Sequence, residues 1–371
     1  MLRTLALRFA VALVAATLLL GVLVNAVNWH LDNRIADIDR VDVTVDTTPR
    51  PAEAGNYLVV GSDSRAFVGD DADALDKFGE PGGERADSIL IAHVEPEEQQ
   101  VLAVSIPRDT VVDLPGGGRS KIADVFNDGP QALIDVIGSN FDVPITHYLN
   151  VDFAGFDRIV DLVGPVTVHF NAPSRDRETG LAIDEPGCVP LDGSQALAYV
   201  RSRHFEENVY GTWTEDPTSD LGRIRRQQAF LRQLSLLARE RIYSSPLDVP
   251  AIVDAALDTL QADREFGRDQ ILGFIDRFRD VDVYDPASVE MLTLPVLEGP
   301  SGSGLGEILV LDQPSADELL ARLRGFGGEV LPSPTAVEEP SEPVPAPPEV
   351  TAPLPDAVQG TPGEPPTPIC G

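Results

Sequence analysis

Four arginines and a glutamine lie close together in the stretches AYVRSR and DLGRIRRQQ. They are Arg201, Arg203, Arg223, Arg226 and Gln227. The chain as a whole is strongly acidic, with 28 Lys+Arg against 60 Asp+Glu and a formal net charge of -32. Because a guanidinium group presents a planar fork of donors that matches phosphate oxygens, this local group of arginines indicates a phosphate or pyrophosphate site. For Arg225 and Arg226 taken singly, the alternative is a place on the solvent face of a helix.

A second group of charged residues stands where predicted strands begin or end. They are Asp63 and Arg65 after one strand, Arg85 and Asp87 before the next, and Arg108 after a third. Ligands of open α/β sheets bind outside strand ends, so these segments are expected to converge on one cleft. Carboxylates there would hold Mg²⁺, while the metal and the arginines would neutralise phosphoryl oxygens. An ordinary salt-bridge network is the alternative.

The elements that must position these residues follow from apolar periodicity. Predicted strands cover 57–61, 88–94, 101–106, 146–151 and 166–170, with helices over 131–137, 153–163, 193–200 and 220–242. Strands that alternate with helices predict an α/β fold with a mixed sheet. Asp220, Arg223 and Gln227 share one face of the long helix at spacings of three and four. Asp220 also suits the N-cap, where the helix adds a positive dipole end to an anion site.

Composition excludes several classes of protein. So acidic a chain lacks the basic stripe that a nucleic-acid-binding protein needs to meet the phosphate backbone. Cys188 and Cys370 are too few for a zinc site or a disulfide scaffold. They could pair with each other in an oxidising compartment, and two unpaired thiols are the alternative.

The N-terminal segment indicates a membrane anchor. Residues 9–29 carry no charge and are long enough to span a bilayer core of roughly 30 Å as a helix. Arg3 and Arg8 precede this segment and Asp32 follows it, so the positive-inside rule places residues 1–8 in the cytoplasm and the rest of the chain outside it. The alternative is a cleaved signal peptide, with a cleavage site near Ala26.

The remaining organisation is read from changes in composition. Residues 30–55 are polar and acidic and predict a stalk, and the main domain is predicted over 56–242. Residues 243–331, with two more helices and two short strands, predict an α/β extension packed on that domain. Residues 332–371 are rich in proline and contain no lysine or arginine. Such a segment cannot bury enough apolar surface to offset its ordering entropy, so a disordered tail is predicted.

Five motifs in order resemble the LytR-CpsA-Psr family over roughly residues 56–242. They are GSDSR at 61–65, RADSI at 85–89, SIPRD at 105–109, LDGSQALAYVRSR at 191–203 and DLGRIRRQQ at 220–228. The resemblance implies a membrane-anchored, extracytoplasmic domain with three α/β/α layers. It also implies transfer of a glycopolymer from a polyprenyl pyrophosphate carrier to peptidoglycan, through a phosphodiester and with Mg²⁺.

The resemblance also assigns roles by position. Asp63 and Asp87 match acids associated with Mg²⁺ and the pyrophosphate. The family's contacts to the pyrophosphate head group are matched by Arg108, Arg201, Arg203, Arg223 and Gln227. Lys121 matches the basic residue of the family's KIN-type segment. We expect Arg65, Arg85 and Arg226 to assist substrate binding.

Two segments depart from the family pattern. KIADVFNDGP at 121–130 lacks the usual asparagine after KI and the paired glycines. The stretch 204–219, which contains Trp213, is similar to an insertion of actinobacterial members and would suit arabinogalactan as the donor glycan. A different wall polymer is the alternative.

Two functions besides transfer stay open at this level. The domain could hold polyprenyl phosphate lipids as a carrier or sensor without transfer, or it could hydrolyse the same pyrophosphates. Asp63 and Asp87 are candidate bases, but carboxylates that bind a metal are poor bases. The identity of the general base therefore stays open.

Overall fold

The computed structural model describes residues 29–48, 50, 54–62, 86–152, 155–245, 248–278, 280–300 and 304–325. Residues 1–28, which include nearly all of the predicted anchor, and the predicted tail lie outside this part of the chain, as do Asp63, Arg65 and Arg85. Within the described ranges, no helix has both the length and the apolarity needed to cross a bilayer.

The described chain alternates between short strands and helices. The strands are β1 Asp39–Val41, β2 Gly55–Ser62, β3 Ala86–Glu95, β4 Gln100–Ile106, β5 Val111–Asp113, β6 Arg119–Lys121, β7 His147–Asp152, β8 Val166–Phe170, β9 Ser174–Asp176, β10 Leu181–Ile183, β11 Gly187–Leu191, β12 Glu206–Val209, β13 Thr212–Glu215, β14 Leu260–Asp263, β15 Val289–Thr293, β16 Val296–Glu298 and β17 Leu309–Leu311. The helices are α1 over 29–36, α2 Ile122–Val125, α3 Pro130–Phe141, α4 Phe156–Val163, α5 Gly193–Arg201, α6 Ser219–Ser244, α7 Val249–Asp258, α8 Arg268–Phe278 and α9 Ser315–Arg324.

A mixed sheet forms the centre of the fold. In the part of the chain that the structure describes, its strand order is β1-β14-β7-β2-β3-β4-β15. β2 is antiparallel to β3 and parallel to β7, while β15 is parallel to β4. The α/β class with a mixed central sheet, predicted from the sequence, is confirmed.

Apolar clusters cover both faces of this sheet because strand side chains alternate between the two sides. Ile89 and Ile91 of β3 join a core that contains residues of α2, α3 and α9. On the other face, Val94 joins a cluster with Ile35 of α1 and Phe266, against which α8 packs. Helices therefore flank the sheet on both sides.

A third apolar cluster lies under α6 and positions the helices that deliver the arginines. It joins Val160 of α4, Tyr199 of α5 and Phe230 of α6 with residues of β8, β10 and β11. α5 starts with a capping box, in which Asp192 accepts from the Gln195 N–H and the Gln195 side chain accepts from the Asp192 N–H.

Two parts of the predicted domain plan look different in the structure. The described residues of the predicted stalk are packed: Ile35 and Ile38 are buried, and β1 pairs with β14. The region after residue 242 supplies β14 and β15 to the central sheet. Composition could not reveal either feature, because short strands acquire their partners only from distant segments of the chain.

Two local segments form hairpins. The glycine run 116–118 forms the turn between the paired strands β5 and β6. The stretch 204–219 forms the hairpin β12–β13, and β12 pairs with β9 in a second sheet of order β10-β9-β12-β13 among the described residues.

Candidate active site

Asp87 lies at the centre of the arginine group. Its Oδ1 accepts hydrogen bonds from Arg108 Nη1 at 2.9 Å and from Arg203 Nη2 at 2.5 Å. Arg223 Nη2 donates to the backbone carbonyl of Asp87 at 2.6 Å, and Nη1 stands 4.0 Å from Oδ1. One aspartate therefore binds three guanidinium groups from separate segments of the chain, two through its carboxylate and one through its backbone carbonyl.

The strand register explains part of this meeting. β3 and β4 are antiparallel with Ile89 opposite Ile106, so Asp87 and Arg108 stand opposite each other at the sheet edge. Arg203 lies two residues after the end of α5, and Arg223 lies in the second turn of α6. The expected convergence of strand ends and helix ends is therefore present for the residues that the structure describes.

Arg223 is the most deeply buried member, with 3% of its side chain exposed. Burial lowers its pKa to about 10, opposed by the carboxylates of Asp220 and Asp87. Arg223 Nη2 lies 2.6 Å from Asp220 Oδ1, an ion pair without hydrogen-bond geometry. Arg223 remains a cation at neutral pH and is held in place by acids on two sides.

A cavity of ≈210 Å³ opens beside this cluster. Its lining residues are Asp87, Glu178, Thr179, Arg201, Arg203, Arg223 and Gln227. Gln227 lies one turn after Arg223, donates to the Val200 carbonyl at 3.0 Å and accepts from Ser88 Oγ at 3.3 Å. With three arginines and two acids in its lining, the cavity favours anions.

Arg201 and Arg203 both line the cavity because the residue between them is extended. Ser202 has φ -60° and ψ 123° and is buried. Side chains alternate along extended chain, so Arg201 and Arg203 face the side opposite Ser202. This is the arrangement that their spacing predicts.

Lys121 stands at the margin of the group and outside the cavity lining. Its Nζ donates to Asp109 Oδ1 at 2.6 Å, and Arg108 Nε lies 3.9 Å from Asp109 Oδ2. Asp109 thus links Lys121 to Arg108.

Arg226 lies outside the cavity lining, and its expected role in substrate binding stays a prediction. Its Nη1 donates to Asp216 Oδ2 at 3.0 Å, its Nη2 donates to the Ser202 carbonyl at 2.6 Å, and the group lies over the Phe205 ring. The side chain braces the segment after α5 instead. The close approach of Asp216 also requires Gly222, where an added Cβ would meet Asp216 Oδ2 at 2.2 Å.

Sequence reasoning missed Glu178 and Thr179, which lie in the turn between β9 and β10. The sequence DRETG contains a local signal for a turn, since an aspartate can accept hydrogen bonds from the backbone two and three residues later. Nothing in the sequence connects this turn with Arg203, because the two line one cavity only in the tertiary structure.

The described part of the site offers Mg²⁺ one carboxylate ligand. No group of three or more His, Cys, Asp or Glu that could hold a metal occurs in the described ranges. Mg²⁺ usually binds through one or two carboxylates together with waters and substrate phosphates, so it needs no such protein cage. Asp87 provides one carboxylate. Asp63 follows Ser62, whose strand partner is Ala86 beside Asp87, and itself lies outside the described residues.

Together, the sheet and the cavity define an α/β protein with an arginine-lined anion pocket at the edge of its central sheet. The sequence profile of the LytR_cpsA_psr family matches residues 24–325. The chain therefore belongs to this family, and the resemblance of its five motifs is confirmed.

Curated relatives include the "Probable cell wall biosynthesis protein LcpB" of Corynebacterium glutamicum, 34% identical over 224 residues, or 60% of this chain and 50% of that protein. Another is the "Polyisoprenyl-teichoic acid--peptidoglycan teichoic acid transferase TagU" of Enterococcus faecalis, 30% identical over 49% of this chain and 56% of that protein. The chain thus spans about half the length of these relatives.

Among solved structures, the "LytR-Csp2A-Psr enzyme from Actinomyces oris" superposes with a TM-score of 0.61 and 26% identity, covering 77% of this chain and 96% of that one. The structure titled "TagT bound to LI-WTA" has a TM-score of 0.53 at 19% identity, covering 75% of this chain and 93% of the other, and supports the fold alone.

Proposed function

We propose that this chain is a phosphotransferase that attaches a polyprenyl-pyrophosphate-linked glycopolymer to peptidoglycan through a phosphodiester. The observation that carries the proposal is the meeting of Arg108, Arg203 and Arg223 on Asp87 beside an open cavity. The names of the relatives support the reaction class, since TagU is a teichoic acid transferase to peptidoglycan and LcpB is a cell wall biosynthesis protein.

The arginines would recognise the pyrophosphate. Arg203 is 31% exposed at the cavity, whereas Arg108 is 13% exposed and Arg223 is almost completely buried. Arg203 is therefore positioned to meet the ligand first, while Arg223 provides a fixed positive charge behind it. Arg201 and Gln227 provide further donors on the same cavity wall. Arg65, Arg85 and Lys121 extend this proposed set.

In the proposed reaction, a hydroxyl oxygen of a peptidoglycan sugar forms a bond to the phosphorus that carries the glycan. The bridging P–O bond to the lipid-linked phosphate breaks, polyprenyl phosphate leaves, and the hydroxyl proton passes to a base that is not assigned. The guanidinium groups stabilise the negative charge that develops on the phosphoryl oxygens, which is usually the largest contribution to catalysis of this kind.

Mg²⁺ is part of the proposal, with Asp87 and Asp63 as its protein ligands. When bound, the ion would neutralise phosphoryl charge and help to orient the pyrophosphate. The carboxylate of Asp87 accepts hydrogen bonds from Arg108 and Arg203, so it would connect the ion to the cationic side of the cavity.

The proposed location is the outer face of the cell membrane. The uncharged segment 9–29 would anchor the chain with residues 1–8 in the cytoplasm, and the folded part would lie outside. Donor lipid and peptidoglycan acceptor are both available there. Arabinogalactan is the proposed donor glycan, on the basis of the stretch 204–219 that forms the hairpin β12–β13.

The first test is a transfer assay with the full chain in detergent micelles. The reaction contains a synthetic lipid-pyrophosphate glycan, Mg²⁺ and peptidoglycan fragments, and mass spectrometry looks for the phosphodiester product. We expect a product that disappears with Arg203→Ala or with EDTA. Bound lipid without product would favour a carrier. Polyprenyl phosphate and glycan phosphate released together without an acceptor would favour a pyrophosphatase.

A further inference from the structure

Asp176 is a buried acid at the end of β9 that the proposed mechanism does not use. Only 1% of the residue is exposed. Its Oδ1 accepts from the backbone N–H groups of Glu178 at 2.8 Å and Thr179 at 3.2 Å. Its Oδ2 accepts from Ser202 Oγ at 2.6 Å and from the His204 N–H at 3.0 Å. One carboxylate therefore accepts four hydrogen bonds, two on each oxygen.

The four donors belong to the two walls of the cavity described above. Glu178 and Thr179 line one wall, and their turn is held by Oδ1. Ser202 stands between Arg201 and Arg203, which line the other wall, and its segment is held by Oδ2. Asp176 itself does not line the cavity. It connects the two walls from behind.

The charge state of Asp176 fits this bracing function. Burial raises its pKa, but the hydrogen bonds from Ser202, Thr179, Glu178 and His204 outweigh burial, so the pKa is lowered overall. A carboxylate that stays ionised accepts from all four donors, whereas a protonated acid would turn one oxygen into a donor. All four hydrogen bonds to Asp176 are therefore present at neutral pH.

We infer that Asp176 is a positioning residue that fixes Arg203 and the Glu178–Thr179 turn around the substrate cavity. The expected effect of Asp176 on catalysis rests on the proposed function, whereas its effect on the position of Arg203 does not. The bonds of Asp176 fix Ser202 and His204, the two neighbours of Arg203, so the backbone of Arg203 cannot shift without breaking at least one of them. Displacement of a catalytic group by about 1 Å can lower a rate by roughly 100-fold.

The matched control is Asp263, another buried carboxylate that accepts several hydrogen bonds. It accepts from the N–H groups of Tyr148, Glu265 and Phe266 at 2.7, 2.7 and 2.9 Å and from His147 Nδ1 at 3.2 Å, and it is fully buried. It lies toward the start of β7, whereas the cavity lies at the opposite end of the sheet, where Ser62 pairs with Asp152 and Ala86. Asp263→Asn should disturb the fold as much as Asp176→Asn without moving Arg203.

The test compares Asp176→Asn, Asp263→Asn and Ser202→Ala in the full chain in micelles. We expect Asp176→Asn to shift or broaden the Arg203 Nε–Hε signal in ¹⁵N NMR and to lower kcat by roughly 100-fold. Asp263→Asn should lower Tm and leave both readouts unchanged. Ser202→Ala, which removes one of the four bonds, should lower kcat by about tenfold or less, and it keeps the test valid if Asp176→Asn does not fold.

A double-variant experiment separates positioning from general destabilisation. If Asp176 acts through Arg203, then Asp176→Asn should change the rate by less than about threefold once Arg203→Ala is present, because coupled residues are not additive. An equal loss in both backgrounds, or an unchanged Arg203 signal in the folded variant, would overturn the inference. If the parent protein shows no transfer, the proposed reaction fails, while the Arg203 signal still decides the role of Asp176.

Discussion

Arg203 Nη2 donates to Asp87 Oδ1 at 2.5 Å, although the two residues are 116 positions apart in the chain. One residue follows α5 and the other lies at the start of β3. The carboxylate aligns the guanidinium group, and the remaining exposed part of Arg203 faces the cavity. The bond joins the arginine-rich half of the chain to the edge of the central sheet, so the candidate site exists only in the folded domain.

Removal of Arg108 or Arg203 should abolish most of the proposed transfer. Loss of one preorganised donor to a developing oxyanion costs roughly 100- to 1,000-fold in kcat. We expect Arg108→Ala and Arg203→Ala to show this loss in the mass-spectrometric assay with unchanged far-UV circular dichroism. Arg158→Ala is the control, since that side chain is 63% exposed and pairs with Asp258. Near-normal transfer by both site variants would refute the assignment.

Removal of Mg²⁺ should lower the rate of transfer, as should loss of its proposed ligand Asp87. EDTA should stop transfer, and added Mg²⁺ should restore it. Asp87→Asn should raise the Mg²⁺ concentration that gives half-maximal rate, because it removes a carboxylate oxygen that prefers hard cations. Asp113→Asn, a change at an exposed acid of β5, should not alter that concentration. A full rate in EDTA would exclude the metal from the reaction.

Arg223 should matter for stability as well as for chemistry. Arg223→Met leaves Asp220 buried without its partner, and breaking a buried ion pair in this way costs about 3–5 kcal/mol in the free energy of unfolding. Urea denaturation measures this loss. The double variant Arg223→Met, Asp220→Asn should lose less than Arg223→Met alone, because no unpaired carboxylate is left. Equal losses would show that the pair contributes nothing.

Arg226 should behave as a structural residue, and its neighbour Arg225 is the control. Arg226→Ala should lower the free energy of unfolding by about 1–3 kcal/mol, since it removes the donor to Asp216 Oδ2 and to the Ser202 carbonyl. Arg225 is exposed and bonds only Thr218 in the described contacts, so Arg225→Ala should stay within about 0.5 kcal/mol. Thermal unfolding of both variants measures the difference. Equal stability would contradict the structural role of Arg226.

His204 provides a prediction about pH. The hydrogen bond to Glu215 raises its pKa above the ordinary value of 6.5, with Glu178 and Asp176 adding to the shift. Because the folded pKa is the higher one, the stabilising contribution is complete below pH 6.5 and is lost as the pH rises through the folded pKa. Imidazole NMR should show this titration above pH 6.5, and Glu215→Gln should move it downward. A titration at or below 6.5 in the parent protein would contradict the pairing.

Some elements of the fold could be predicted from the sequence and others could not. The strands around residues 57–61, 88–94 and 101–106 and the helix over 220–242 follow from local periodicity, and the structure has β2, β3, β4 and α6 at these places. Local signals also predict that Arg201 and Arg203 share a side. The packed segment before β2 and the insertion of β15 beside β4 could not be predicted, because they depend on pairing between distant segments.

The candidate site divides in the same way. Residue types and spacing alone determine that the chain carries a set of arginines suited to phosphate and that it belongs to the LytR-CpsA-Psr pattern. Only the tertiary structure decides that Arg203 reaches Asp87, that Arg226 braces Asp216 instead of lining the cavity, and that Asp176 holds both cavity walls. The physical reason is that side-chain spacing along one element is fixed by backbone geometry, whereas the partner of a side chain is chosen by packing across the whole fold.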